Sequence, residues 1–308
     1  MKATREAFGY QLPLMGDKYN NIIALDADLG KATKIANFKE SHPERFFQIG
    51  IAEANMIGIA SGISEYGYKV FLASFSSFLT GRYDIIRCSL AYPNRPVILV
   101  GSHVGMAIGK DGVTQMGLED VSIMRALPNM KILNPATYTE AIEVINYLCE
   151  TELNSPHYLR LGRTPIEDID IPFEFGKGYI IKNGSDITLF STGCILGDVI
   201  GAAELIENNT NYSIRVVNMT TLKPIDKNII IKCAKETKYL FTIEDHSIVG
   251  GLGSAISEIL TDEYPKRVVR IGLNDIFPES APPADLYEKY GLSSGQIAKR
   301  VLSESLDK

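Results

Sequence analysis

The sequence predicts an α/β protein of two domains, each a mostly parallel sheet covered by helices. Three observations predict this class. Short apolar runs alternate with helical stretches along nearly all of the 308 residues, the order that builds parallel sheets through crossover helices. Runs such as residues 97–100 are apolar at every position, as strands covered on both faces must be. The alternation loosens once, over residues 164–184, where Pro165, Pro172, Gly176 and Gly178 gather, and then resumes. The expected division is a first domain over 1–170, a linker over 171–184 and a second domain over 185–308.

Residues 2–19 predict a helix with apolar positions Ala3, Ala7, Leu12, Leu14 and Met15, and Pro13 as its end or a kink. A buried strand over 21–26 precedes a polar loop over 27–32. The short apolar run 46–49 leads into a helix carrying Glu53. A strand over 69–73, a helix over 78–90 and a strand over 96–101 follow. Residues 104–116 are glycine-rich and follow neither period, which predicts a loop. A short helix over 118–126, a strand over 131–135, an amphipathic helix over 139–150 and a strand over 157–161 complete the first domain. In the second, strands over 186–191, 212–218, 239–244 and 267–271 alternate with helices over 197–207, 227–235 and one opened by residues 250–255.

Apolar residues make up 45% and charged residues 22% of the chain, enough for a sizeable core. Net charge is −6 with no basic run, which argues against nucleic acid as a partner. No apolar stretch reaches the ~18 residues that span a bilayer, and the first residues carry no apolar signal core. Cys88, Cys149, Cys194 and Cys233 lie far apart without metal-ligand spacing, so buried reduced thiols and a cytoplasmic location are expected.

The chemistry-bearing residues cluster early. Between residues 49 and 63 the only charged residue is Glu53, set among Ile49, Met56, Ile57, Ala60 and Ile63. Such a carboxylate is a first-turn acid held by the helix dipole, or a buried acid that shares a proton with a bound heterocycle. Phe75 and Phe78 follow a strand, as core or as an apolar wall beside Glu53. His103 sits beyond the carboxyl end of strand 96–101, where ligands bind in open α/β sheets, and a histidine titrates near neutrality. Residues 109–114, Gly-Lys-Asp-Gly-Val-Thr, have glycines that let a backbone turn closely around a ligand. Arg5 and Arg163 could hold a phosphate bidentately. Residues 250–254, opening a helix, could cradle a phosphate or simply pack, and packing is the expectation. Residues 244–246, Glu-Asp-His, are expected to be a strand end and polar loop.

The stretch around Glu53 resembles the G-I-A/R-E-x-x-M/I segment of transketolase-family enzymes, and residues 109–114 resemble their G-x-D-G-x-T-H-Q string. The resemblance covers nearly the whole chain and implies a thiamine-diphosphate-binding pyrimidine domain followed by a transketolase C-terminal-like domain. It implies that Glu53 contacts the aminopyrimidine of thiamine diphosphate, that Phe75 and Phe78 stack on that ring, and that Asp28 and Leu29 reach the cofactor across a subunit contact. It gives His103 a catalytic role on substrate hydroxyls, and Asp111, Arg5 and Arg163 roles in holding substrate. The departure is Gln115-Met116 where the family has His-Gln. Glutamine can hydrogen-bond a substrate but cannot take up a proton.

The family's diphosphate-and-metal string, G-D-G followed by an asparagine, is missing. The resemblance therefore implies one half of a split transketolase, moving a two-carbon ketol unit from a phosphorylated or otherwise anionic ketose to an aldose. An amino-terminal subunit would hold the diphosphate and its Mg²⁺ or Ca²⁺. A heterotetramer around a homodimeric core would result. The alternatives are a subunit of another thiamine-diphosphate enzyme, deoxyxylulose-phosphate-synthase-like or 2-oxoacid-dehydrogenase-beta-like, and a non-catalytic paralogue that only binds a partner.

Overall fold

The computed structural model describes residues 1–306 as two α/β units. Twelve strands fall into two sheets among the described residues. The first unit supplies β1 Ile22–Asp26, β2 Phe46–Gln48, β3 Lys69–Phe75, β4 Val97–Ser102, β5 Lys131–Leu133 and β6 His157–Leu161. The second supplies β7 Tyr179–Lys182, β8 Ile187–Ser191, β9 Ile214–Asn218, β10 Thr221–Lys223, β11 Tyr239–Ser247 and β12 Val268–Leu273. The larger sheet runs β10-β5-β6-β4-β3-β1-β2 and the smaller β12-β11-β8-β9-β7. Every pair is parallel except β10 on β5 and β7 on β9. β1, β4, β6, β8 and β9 are buried along their whole length, which explains the predominance of apolar residues in them.

Local chemistry sets the helix ends. Thr137 caps helix Tyr138–Glu150 by accepting from the Glu140 N–H, and Asp226 caps Lys227–Glu236 by accepting from the N–H groups of Asn228 and Ile229. Register brings Asp26 beside Gln48, and Phe75 beside Ser102, at the carboxyl edge of the first sheet. That edge is where a ligand site is expected in this architecture.

Several elements depart from the sequence expectations. Pro13 does not end the first helix, which runs Thr4–Lys18 with the proline inside it. The helix expected over 78–90 is three pieces, Ser76–Thr80, Tyr83–Ile86 and a π turn at Arg87–Ala91, parted at Gly81 and Arg82. The polar loop after β1 contains two short helices, Gly30–Thr33 and Ala36–Ser41. The segment expected as a linker contains β7, which adds antiparallel to β9 as an edge strand. β10 lies in sequence within the second unit but pairs with β5 of the first sheet. Helices Pro283–Lys289 and Ser294–Leu306 close the second unit. Cys88 is exposed, against the expectation of a buried thiol; its segment is the interrupted, half-exposed helical stretch. Among the described residues no helix is long and apolar enough to cross a membrane.

Candidate active site

Glu53 opens helix Glu53–Ser64 and is 5% exposed. Its Oε1 accepts from Ser74 Oγ at 3.0 Å, while its second oxygen has no partner among the described residues. The helix N-terminus favours the carboxylate there. Phe75, the last residue of β3, is buried, and Phe78 in the next helical turn is half-buried. Their rings stack with centroids 5.4 Å apart and planes 21° from parallel. A buried carboxylate held by Ser74 and stacked rings starting at the next residue, Phe75, are the two features that a flat heterocycle with a hydrogen-bonding edge needs.

His103 extends this cluster. Its ring centroid is 3.9 Å from that of Phe75. Its Nε2 is 3.0 Å from Arg5 Nη1 and its Nδ1 is 2.8 Å from Ser102 Oγ. A guanidinium only donates, so Nε2 accepts and Nδ1 carries the proton toward Ser102. Burial, and then the positive charges of Arg5 and Arg163, push the imidazole down to about 3. Titration near neutrality, expected of a loop histidine, is therefore corrected: His103 is neutral at physiological pH.

Arg5 also donates to the Ala32 carbonyl at 3.0 Å, and its Nε is buried without a partner. Burial and the charge of Arg163 lower its pKa. Arg163 is exposed, donates to the Ile108 carbonyl at 3.3 Å and stands 3.9 Å from Asp111. Two guanidinium groups thus act on His103, with Glu6 near Arg5 and Asp111 loosely beside Arg163. Asp111 is exposed and Gln115 half-buried at this rim, and the Gln115 side chain has no partner among the described residues, although its carbonyl accepts from Ser77 Oγ at 3.2 Å.

Asp28 and Leu29 sit in a loop built by two residues that the sequence reading did not single out. Gln48 Oε1 accepts from the Asp28 N–H at 3.0 Å. The Asp26 carboxylate accepts from the N–H groups of Leu29 and Gly30 at 3.1 and 3.0 Å and from Gln48 Nε2 at 2.7 Å. Burial raises the Asp26 pKa against those bonds. Asp28 itself is exposed at φ 65°, and Leu29 packs in the apolar cluster of Phe75 and Phe78. Ser74 and Ser102 were also missed. The available signal was a polar residue at or next to the carboxyl end of a mostly apolar strand, shared by Asp26, Ser74 and Ser102.

Residues 244–246 are not a polar loop but a buried part of β11. Glu244 accepts from the N–H groups of Leu252 and Gly253 at 2.7 and 2.9 Å. The helix N-terminus of the glycine stretch therefore binds the chain's own carboxylate and has no room for a phosphate.

The transketolase pyrimidine binding domain matches residues 1–167, and the transketolase C-terminal domain matches residues 176–297. A putative transketolase C-terminal section of Methanocaldococcus jannaschii is 41% identical over 98% of this chain and 96% of that protein. A 6-deoxy-6-sulfo-D-fructose transketolase subunit of a Clostridium species is 35% identical over 92% of this chain and 88% of that protein. The solved structure of a split gene transketolase, an inactive beta4 tetramer, superposes with a TM-score of 0.91 at 39% identity, covering 99% of each chain. Of the full-length rat and human transketolases, the chain spans 48%. The chain belongs to the transketolase family.

Proposed function

We propose that this transketolase-family chain is the carboxy-terminal subunit of a two-chain enzyme that transfers a two-carbon ketol unit from an anionic ketose to an aldose with thiamine diphosphate. The observation that carries the reading is Glu53: a buried carboxylate held by Ser74, the residue before Phe75, with its second oxygen unpartnered among the described residues. Glu53 and the two rings would hold the cofactor's pyrimidine, and Leu29 would extend that wall. Thiamine diphosphate, when bound, supplies the carbon nucleophile of ketol transfer. Its diphosphate and its Mg²⁺ or Ca²⁺ would be held by the amino-terminal partner, since no string for them is found here.

The substrate side follows from charge. Neutral His103 accepts at Nε2, so it can orient a substrate hydroxyl when Arg5 turns toward an anion. Arg5 has a buried unpartnered donor, and Arg163 has only a loose acid beside it. Both favour an anionic donor sugar, phosphate or sulfonate. Asp111 and Gln115 would hydrogen-bond sugar hydroxyls at the rim.

Transfer activity of this chain alone and with its amino-terminal partner, on phosphorylated, sulfonated and neutral ketoses, tests the reading. Activity is expected only from the pair and chiefly with anionic donors, and Glu53→Gln should lower kcat at least ~1000-fold with the circular dichroism spectrum unchanged. Near-full activity of a Glu53→Ala pair would sink the mechanism.

A further inference from the structure

The loop carrying Asp111 is shaped by the second unit as well as by its own. Inside the first unit, residues 105–112 are tied by the Gly105 N–H on the Gly117 carbonyl, 2.8 Å, and by Arg163 on the Ile108 carbonyl, 3.3 Å. The second unit adds one hydrogen-bonded anchor, a carboxylate that is itself braced. The Met106 N–H donates to both oxygens of the buried Asp245, at 3.0 and 3.2 Å. Tyr287 Oη donates to the same carboxylate at 2.7 Å. Arg160 Nη2 donates to the Asp245 carbonyl at 3.0 Å while its Nε holds the buried Asp120 at 2.8 Å.

Three glycines of the loop have positive φ, and each abuts a different residue of the second unit. Gly105, φ 68°, leaves room for the Asp245 carboxylate, which an added Cβ would overlap. At Gly109, φ 70°, a Cβ would come 2.9 Å from Pro283 Cδ. At Gly112, φ 82°, it would come 2.5 Å from Ser280 Oγ. The void at this junction, beside Val104, Arg160, Asp245 and Tyr287, is only about 10 Å³. A backbone with three left-handed positions has many alternative conformations. Here it is held in one by a surface that has no group in the reacting centre.

We propose that Asp245 and Tyr287 are positioning residues that clamp the 105–112 loop, so that the second unit sets the geometry in which Asp111 meets substrate. The consequence for substrate rests on the ketol-transfer reading above, whereas the clamp itself does not.

Hydrogen–deuterium exchange of the full chain, wild type against Tyr287→Phe, Asp245→Asn and Asp245→Ala, tests the clamp. Peptides over 103–116 should exchange at least threefold faster in all three variants, with peptides over 53–75 unchanged. Asp245→Asn should be milder than Asp245→Ala, because the amide oxygen still accepts from Met106. Tyr287→Phe keeps the ring and decides the matter should Asp245→Ala fail to fold. Wild-type exchange over 103–116 in Tyr287→Phe, or acceleration spread evenly through residues 185–306, would overturn the clamp. Assayed with the amino-terminal partner, Tyr287→Phe should raise the KM for the donor sugar at least threefold while half-saturation by thiamine diphosphate stays within twofold. An unchanged donor KM in an active pair would overturn the clamp's role at Asp111, whereas inactivity of the wild-type pair would count against the ketol-transfer reading and leave the exchange result to judge the clamp.

Discussion

His103 holds φ 59°, a conformation uncommon for a residue with a side chain, with its ring against Phe75 and both ring nitrogens partnered, by Arg5 and Ser102. Because burial and two guanidinium charges keep the imidazole neutral down to about pH 3, His103 contributes no step near 6.5 to the pH dependence of kcat/KM. Profiles of the pair with wild-type chain and with His103→Asn should keep the same shape from pH 5.5 to 8, though the variant's lie lower. His157 applies the same physics to stability. Burial holds it at about 4, with its Nδ1 against the Ser155 carbonyl. The unfolded chain takes up that proton near 6.5, so between those values it binds more protons than the native state. Stability from this residue is present above about 6.5 and lost as pH falls toward 4, by about 3 kcal/mol. His157→Gln should flatten that acid loss in urea unfolding at pH 7 and 4.5, and an equal fall in both proteins would contradict the assignment. The sequence reading singled out His103, Glu53 and Phe75 because each sits in or just beyond a recognisable strand or helix. It missed Ser74 and Asp26, whose importance lies in one hydrogen bond to a residue far along the chain or in a turn closed by backbone N–H groups.

Helix Leu252–Glu263 illustrates how an element is fixed by a residue outside it. Its first two N–H groups donate to Glu244, and Gly251 leaves room for that carboxylate where a Cβ would overlap it. Glu244→Gln replaces an acceptor by a group that is half donor, facing two buried N–H groups. The expected loss is about 1–3 kcal/mol in denaturant unfolding, with no change in thiamine diphosphate binding. A loss confined to cofactor binding would instead mark Glu244 as functional. Elements of this kind divide by legibility. β4 was plain in the sequence because burial on both faces forces the apolar run Val97–Val100. β7 and β10 were not, for they are three or four residues long, partly exposed, and exist through a tertiary partner rather than a local pattern. The 78–90 stretch looked like one helix because its apolar spacing continues across Gly81, where the chain in fact turns.

At the scale of the whole chain, the two units share more than a linker. β10 crosses to the first sheet, Lys223 Nζ donates to the Arg125 and Leu127 carbonyls, and Glu140 of the first unit accepts from Asn218 and Thr220 of the second. The incompleteness lies elsewhere. Beside Glu53, Ile51 is 85% exposed and Phe47 44% exposed, on the flank where helix Glu53–Ser64 meets β2. The same helix has Gly58 and Gly62 opening on empty space. An apolar rim beside the proposed pyrimidine site is what a homodimeric core would cover, and the half-buried Phe78 and exposed Asp28 would be closed by that contact. Ile51→Lys tests this at the level of assembly. An exposed isoleucine adds nothing to the stability of a lone chain, so melting of dilute protein should be unchanged. If a second copy covers it, each protomer loses about 1.5–3 kcal/mol of apolar burial and must also desolvate an ammonium. Sedimentation should then show self-association weakened at least tenfold, with ketol transfer by the two-chain enzyme falling in step. Unchanged sedimentation in Ile51→Lys would move the subunit contact away from this face, and the Glu53 site would then have to be completed by the amino-terminal partner alone.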